Sequence, residues 1–379
     1  MNYRGESGLR FIDSFVRIVP SLYVTPKPVF RFLRGGTRDL PETVEMIVKM
    51  PGKSSNINDF GPATSCPGPG VLAAGPGLSA GGWAASGLTN SGRAGSSPGR
   101  PAGKLPRYAL AGLFMIGLGE LLLFTGSYWA GVYFTPFQWT GYLLFMDGLH
   151  KKISGSSIIS DHFGEFLLLL AISIGSWLLF EAYNLLLKNW TYVGLPESRL
   201  LRYLGYGWSF ATISPGIFLT CQVLNDLLPG GSPPAARPRL DSRLFGGLTG
   251  LGLVCLAAPL LWPSTWMAPL VWMGFALFLD PLNHRLGGRS ILAEFFGGHR
   301  RSLGVFFLSG LACGLLWEFW NYWAVAKWHY DVPYLGHIKL FEMPVLGFLG
   351  FLPFTVECFA IYTFIRRLIP IPMQEPYLG

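Results

Sequence analysis

Charge is scarce in this sequence: of 379 residues only 13% are Asp, Glu, Lys or Arg. A soluble domain averages roughly 25%, so a water-exposed globule is excluded. Patterned cysteine is lacking too. Cys66, Cys221, Cys255, Cys313 and Cys358 share no spacing, which excludes a secreted disulfide scaffold. No CxxC or P-loop element occurs, so neither redox nor phosphate chemistry of those kinds is indicated. His150, His162, His284, His299, His329 and His337 form no i,i+4 pair within a hydrophobic run and no histidine-rich box. Haem and di-iron sites are therefore not indicated, and the sequence predicts neither a metal nor another cofactor. What is abundant is apolar surface: half the residues are hydrophobic and 15% aromatic, with 13 Trp. That excludes a wholly disordered chain and suits a protein with long membrane-water boundaries.

The formal net charge is +8. Basic residues cluster in loops between hydrophobic runs, and no basic stripe with interleaved aromatics occurs on a polar helix. Nucleic acid is thereby excluded as a partner, and the charge reads as membrane topology.

Residues 1–106 read as a cytoplasmic N-terminal region. Residues 1–60 hold only short apolar pieces, such as Phe11-Ile12 and Val16-Arg17-Ile18-Val19, far below the ~20 residues a membrane span needs. Residues 61–104 are mostly Gly, Ala, Pro and Ser. That composition buries too little apolar surface to offset ordering entropy, so a disordered linker is expected.

From Tyr108 onward eight hydrophobic spans are predicted, at about 108–126, 130–147, 165–187, 207–228, 244–262, 266–280, 303–325 and 343–365. The expected fold class is all-α, a polytopic transmembrane helical bundle. An internal repeat organises it. Trp139, Gly141, Phe145 and Asp147 match Trp272, Gly274, Phe278 and Asp280; Ser157-Ile158 match Ser290-Ile291. Glu181 and Asn184 then match Glu318 and Asn321, while Trp190, Tyr192 and Pro196 match Trp328, Tyr330 and Pro333. The reading is two four-span repeats, 107–229 and 244–367, joined by a linker at 230–243 and followed by a tail at 368–379. An even number of spans makes such units parallel. Lys151, Lys152, Arg285, Arg300, Arg301, Arg366 and Arg367 fall on one side, against the sparser Lys188, Arg199, Arg202, Lys327 and Lys339 on the other. Both termini are therefore expected in the cytoplasm of a bacterium, with the bundle in its inner membrane.

A carboxylate at bilayer depth costs roughly 3 kcal/mol or more on insertion scales and is a functional candidate by default. Glu181 and Glu318 sit at equivalent places, with Asn184 and Asn321 three residues on, on the same helical face. Gly310 and Gly314 continue that face and permit close packing. Trp190, Tyr192, Trp328 and Tyr330 follow where the outer interface is expected. They fit an interfacial aromatic belt or the wall of an apolar ligand site. Glu342 and Glu357 have no acidic counterpart in the first half, which makes the second half the preferred active side. The candidate catalytic residues are Glu318, Glu342 and Glu181. The candidate ligand-binding residues are Asn321, Asn184, Trp328, Tyr330, Trp190, Tyr192 and Glu357. The alternative is that each Glu bonds its Asn and the neighbouring Trp-x-Tyr and only locks the fold.

Trp317-Glu318, Trp328, Tyr330, Gly336 and Phe341-Glu342-Met343-Pro344 resemble the pattern of the integral-membrane lycopene cyclase domain, over about residues 303–365 and faintly 165–228. Departures are plain: Glu342 precedes Pro344 where that family has paired Glu after Pro, and its units have three spans. The chain also resembles an uncharacterised family of bacterial polytopic membrane proteins, in the Trp317-Glu318-Phe319-Trp320-Asn321 and Phe341-Glu342-Met343-Pro344 segments. The cyclase resemblance implies a cofactor-independent, proton-initiated reaction on a polyene, with Glu318 or Glu342 as the acid. The expected partners are the lipid bilayer and a lipophilic, isoprenoid- or carotenoid-like molecule. A secondary transporter and a non-catalytic membrane subunit stay open as alternatives, and the sequence names no protein partner.

Overall fold

The computed structural model describes residues 103–229, 241–333 and 336–369. The expected linker at 61–104, apart from its last residues, most of 230–243 and nearly all of the tail lie outside the described residues. The architecture is a helical bundle. In chain order the helices are α1 (Arg107–Phe124), the short α2 (Tyr128–Val132), α3 (Phe134–Ser154), α4 (Phe163–Leu187), α5 (Arg199–Ala211) and α6 (Ile213–Leu227). Then come α7 (Ser242–Leu261), α8 (Ala268–Arg285), the short α9 (Ile291–Phe296), α10 (Arg300–Trp323) and α11 (Phe351–Leu368). Two 3-10 segments, Thr265–Met267 and Val345–Gly350, lead into α8 and α11.

Six segments are long and apolar enough to cross a membrane: Arg107–Phe124, Phe163–Leu187, Ser242–Leu261, Thr265–Arg285, Arg300–Trp323 and Val345–Leu368. Their side chains are arranged inside out relative to a soluble protein. On α1 the buried positions are Ala109, Gly112 and Gly119, while Leu110, Leu113, Phe114, Leu121 and Phe124 point outward. On α7, Gly252 and Cys255 face inward, and Leu251, Leu253, Val254, Leu260 and Leu261 face outward. Small residues inside let backbones approach, and large apolar residues outside suit hydrocarbon rather than water. At Gly112 an added Cβ would sit 2.8 Å from the backbone nitrogen of Phe145, so α1 and α3 cross with no room for a side chain. At Gly310 and Gly314 the same position is taken by Phe351 of α11. The chain is a multi-pass membrane protein.

Two of the eight expected spans do not meet the membrane-crossing criterion. α3 carries Asp147, Lys151 and Lys152 within its 21 residues, and α6 has only 15 residues. The expected fourth span is broken at Thr212 into α5 and α6. Pro215 has no N–H to continue the helix. Ser173 of α4 bridges the break, its hydroxyl donating to the Phe210 carbonyl (2.6 Å) and accepting from the Ser214 amide (3.0 Å).

Asp147 and Asp280, matched in the repeat, each hold the loop that follows their helix. Asp147 accepts from the Ser157 hydroxyl (2.5 Å) and the Ile158 amide (2.9 Å). Asp280 accepts from the Ser290 hydroxyl (2.5 Å) and the amides of Ile291 (3.0 Å) and Leu292 (2.9 Å). Both carboxylates are fully buried, which such saturated bonding permits.

The all-α class holds, and two short strand pairs are added to it. Between α4 and α5 the chain forms strand β1 (Trp190–Val193), and after α10 it forms β2 (Lys327–Tyr330). These pair antiparallel, Trp190 opposite Tyr330, Thr191 opposite His329 and Tyr192 opposite Trp328. A second small ladder joins β3 (Lys339–Leu340) to β4 (Met343–Pro344). The aromatic residues expected to form an interfacial belt thus sit in strands that tie the two halves of the chain together.

Candidate functional site

Each half of the β1–β2 ladder is fastened to the end of a long helix by an asparagine. The Asn184 side chain donates to the Trp190 carbonyl (2.9 Å) and accepts from the Trp190 amide (3.1 Å). Asn321 does the same to Trp328, donating at 2.9 Å and accepting at 2.9 Å. A two-bond clamp on one residue fixes the direction of its side chain, and in both cases the indole reaches the glutamate one turn earlier on the helix.

Glu181 Oε1 accepts from the indoles of Trp177 (3.0 Å) and Trp190 (3.1 Å) and from the Tyr192 hydroxyl (2.5 Å). Glu318 Oε1 accepts from the Trp328 indole (3.3 Å) and the Tyr330 hydroxyl (2.9 Å). Burial and the adjacent carboxyl push both phenols well above the ordinary tyrosine range, so each serves as a protonated donor. One difference separates the two halves. Position 314 holds Gly where position 177, at the same distance before the glutamate, holds Trp. Glu318 therefore has two donors on Oε1 rather than three, and its Oε2, fully buried, has no hydrogen-bond partner among the described residues.

Glu318 lies in the wall of a cavity of about 610 Å³, within the 300–1,000 Å³ range of small-molecule sites. Six tryptophans line it: Trp139, Trp177, Trp190, Trp272, Trp317 and Trp328. Tyr192 and Tyr330 join them, so the ladder forms part of the wall. Four buried polar atoms without a partner among the described residues belong to lining residues: Thr135 Oγ1, Trp139 Nε1, Asn189 Oδ1 and Glu318 Oε2. A buried polar atom left unpaired costs about 1–3 kcal/mol. Four such atoms belong to residues of this one wall.

The expected site residues divide clearly. Glu318, Trp328, Tyr330, Trp190 and Tyr192 meet at the cavity. Asn321, Asn184 and Glu181 stand behind that wall as its supports. Glu357, fully buried on α11, accepts from the Phe275 amide of α8 (3.0 Å) and does not line the cavity. Glu342 stands apart as well, accepting from Lys327 (3.1 Å) and from His329 Nδ1 (2.8 Å). Trp139 and Trp272 are functional candidates that the sequence reading noted only as repeat landmarks. Their signal was the alignment of Trp139 with Trp272 in the repeat, which marked a position without showing that it faced a void. Among the described residues no group of three or more His, Cys, Asp or Glu is placed to hold a metal ion.

Burial raises the Glu342 carboxyl, but Lys327 and His329 outweigh it and hold the group below the usual carboxylate range. A depressed folded-state pKa stabilises the protein at neutral pH, and that contribution is lost as pH falls through the folded-state value. Glu342→Gln is expected to flatten the acid limb of the melting temperature below the ordinary glutamate range, leaving the neutral limb parallel to wild type. An unchanged acid limb would show that this ion-pair cluster does not couple to folding.

No family model, curated protein or solved structure matches this chain.

Proposed function

We propose that this chain binds or transforms a lipophilic, isoprenoid- or carotenoid-like molecule inside a bacterial inner membrane, with Glu318 as the acting carboxyl. The observation that carries this reading is the Glu318 carboxyl itself. It is fully buried, fastened through Oε1, and unpartnered at Oε2 in the wall of an aromatic cavity. Because Oε1 already accepts two hydrogen bonds, a proton carried by this group sits on Oε2. From there it can be donated to an acceptor or to an alkene. The surrounding ring faces favour a developing cation and pack well against an unsaturated chain. A cofactor-independent cyclase-like reaction, the chemistry that the lycopene cyclase resemblance implies, fits this arrangement.

In this reading the bundle has eight spans in two parallel four-span units, with α3 and α5–α6 as the two shielded by neighbours, and both termini in the cytoplasm. Support for the duplication comes from hydrogen-bond sets that occur twice in the same order: Asp147 with Ser157 and Asp280 with Ser290, then the Asn–Trp and Glu–Trp–Tyr sets. A carrier with a water-filled passage is the weaker reading, because the cavity wall is overwhelmingly aromatic and aliphatic.

The test is mass spectrometry of the organic extract from protein solubilised gently out of its native membrane. The reading expects one hydrophobic compound, other than bulk phospholipid, at near one per chain. Recovery of bulk phospholipid alone, from a chain that remains folded, would reject it.

A further inference from the structure

The route into the cavity is written in which of its wall residues are exposed. Those are Pro269, Met273, Leu346 and Leu349, from the start of α8 and the Val345–Gly350 segment. All are apolar, and Met273, Leu346 and Leu349 are 47%, 43% and 61% exposed. The two basic wall residues are held by other groups. Arg202 donates to the Pro196 carbonyl (2.9 Å), and Lys327 to Glu342 (3.1 Å) and the Tyr322 carbonyl (3.0 Å). On the opposite flank α5 closes the wall. Leu201, Gly205 and Tyr206 face the cavity, while Leu200, Leu204 and Trp208 face outward at one-turn spacing. A mouth that opened to water would carry a polar rim. This one lies between segments whose outward side chains suit hydrocarbon.

We propose that the cavity opens sideways into the bilayer between Pro269–Met273 and Leu346–Leu349, and admits a single-chain lipid with an uncharged polar end. The polar end lies against Glu318 and the chain trails out through the portal. An uncharged head is required because an ion would have to shed its water to pass a rim that offers no polar partner. Among the unpartnered buried atoms of the wall residues are both kinds needed by a hydroxyl: Glu318 Oε2 and Asn189 Oδ1 can accept, and Trp139 Nε1 can donate. This inference rests on the reading of Glu318 as the ligand-holding group and adds the direction of entry and the polarity of the ligand.

The test uses the full chain in nanodiscs and two C18 alcohols, one with a diazirine near the hydroxyl and one with it near the methyl end. After irradiation, peptide mapping is expected to place the hydroxyl-end label on Trp317 or Trp328 and the methyl-end label on Met273, Leu346 or Leu349. A Met273→Trp/Leu349→Trp double variant, which narrows the portal, should slow uptake from donor vesicles at least ten-fold. Glu318-dependent labelling of Arg202, Lys327 and Val332 by the methyl end would overturn the portal and spare the site, and labelling in the reverse order would overturn the placement of the polar end against Glu318. Unchanged uptake in the double variant would also overturn it. Labelling that is indifferent to Glu318→Gln would overturn both the portal and the reading beneath it.

Discussion

Arg366→Ala is expected to be the most destabilising single substitution outside the cavity, lowering stability by about 3–5 kcal/mol, the usual cost of breaking a buried ion pair. Arg366 lies in the last turn of α11 and Glu165 in the first turn of α4, so the pair joins the two halves at one end of the bundle. The guanidinium Nε donates to both Glu165 oxygens, at 3.0 and 2.9 Å, and Nη1 donates to the Ile369 carbonyl (3.0 Å). The Tyr362 hydroxyl donates to Glu165 as well. Glu165 is 1% exposed and Arg366 7%, so removing the arginine strands a carboxylate where water cannot reach it. Removing both charges together, as in Glu165→Gln/Arg366→Met, should cost less than the single change, because no unpaired charge remains. Melting in a mild detergent checks this. A double variant as unstable as Arg366→Ala would mean that packing, not charge pairing, holds the two helices.

Much of the fold was legible in the sequence because a membrane simplifies the code: long apolar runs become helices, and each helix satisfies its own backbone. The positions of α1, α4, α7 and α10 follow from that alone. Legibility failed where side chains, rather than hydropathy, decide the backbone. The break at Thr212 depends on Ser173 reaching across from another helix. The β1–β2 ladder depends on residues 190–193 meeting residues 327–330, a pairing that no local pattern announces. The site was partly legible. Glu318, Trp328 and Tyr330 could be grouped because their order repeats that of Glu181, Trp190 and Tyr192. Glu342 was misplaced because its sequence neighbours gave no sign that Lys327 and His329 would capture it. The cavity itself was hidden, since a void between Trp139, Trp177, Trp272 and Trp317 arises only when four separate helices meet.

The central claim is that the free oxygen of Glu318 holds a lipophilic molecule, and comparing Glu318→Gln with Glu181→Gln tests it most directly. Gln fills the same volume and its amide oxygen can still accept from Trp328 and Tyr330, so the fold should survive. The amide nitrogen that replaces Oε2 can neither accept a hydrogen bond nor deliver an acidic proton. A hydrogen bond to a charged group contributes about 1.5–3 kcal/mol, which corresponds to a loss of roughly 10–150-fold in ligand retention. Glu181 Oε1 accepts from Trp177, Trp190 and Tyr192 and the residue is absent from the cavity wall, so Glu181→Gln should leave retention within a few-fold of wild type. The measurement is native mass spectrometry of both variants released from nanodiscs, scored as the fraction of chains carrying the co-purified hydrophobe. The account predicts a chain emptied by Glu318→Gln and still loaded with Glu181→Gln; equal loading of two folded variants would contradict it.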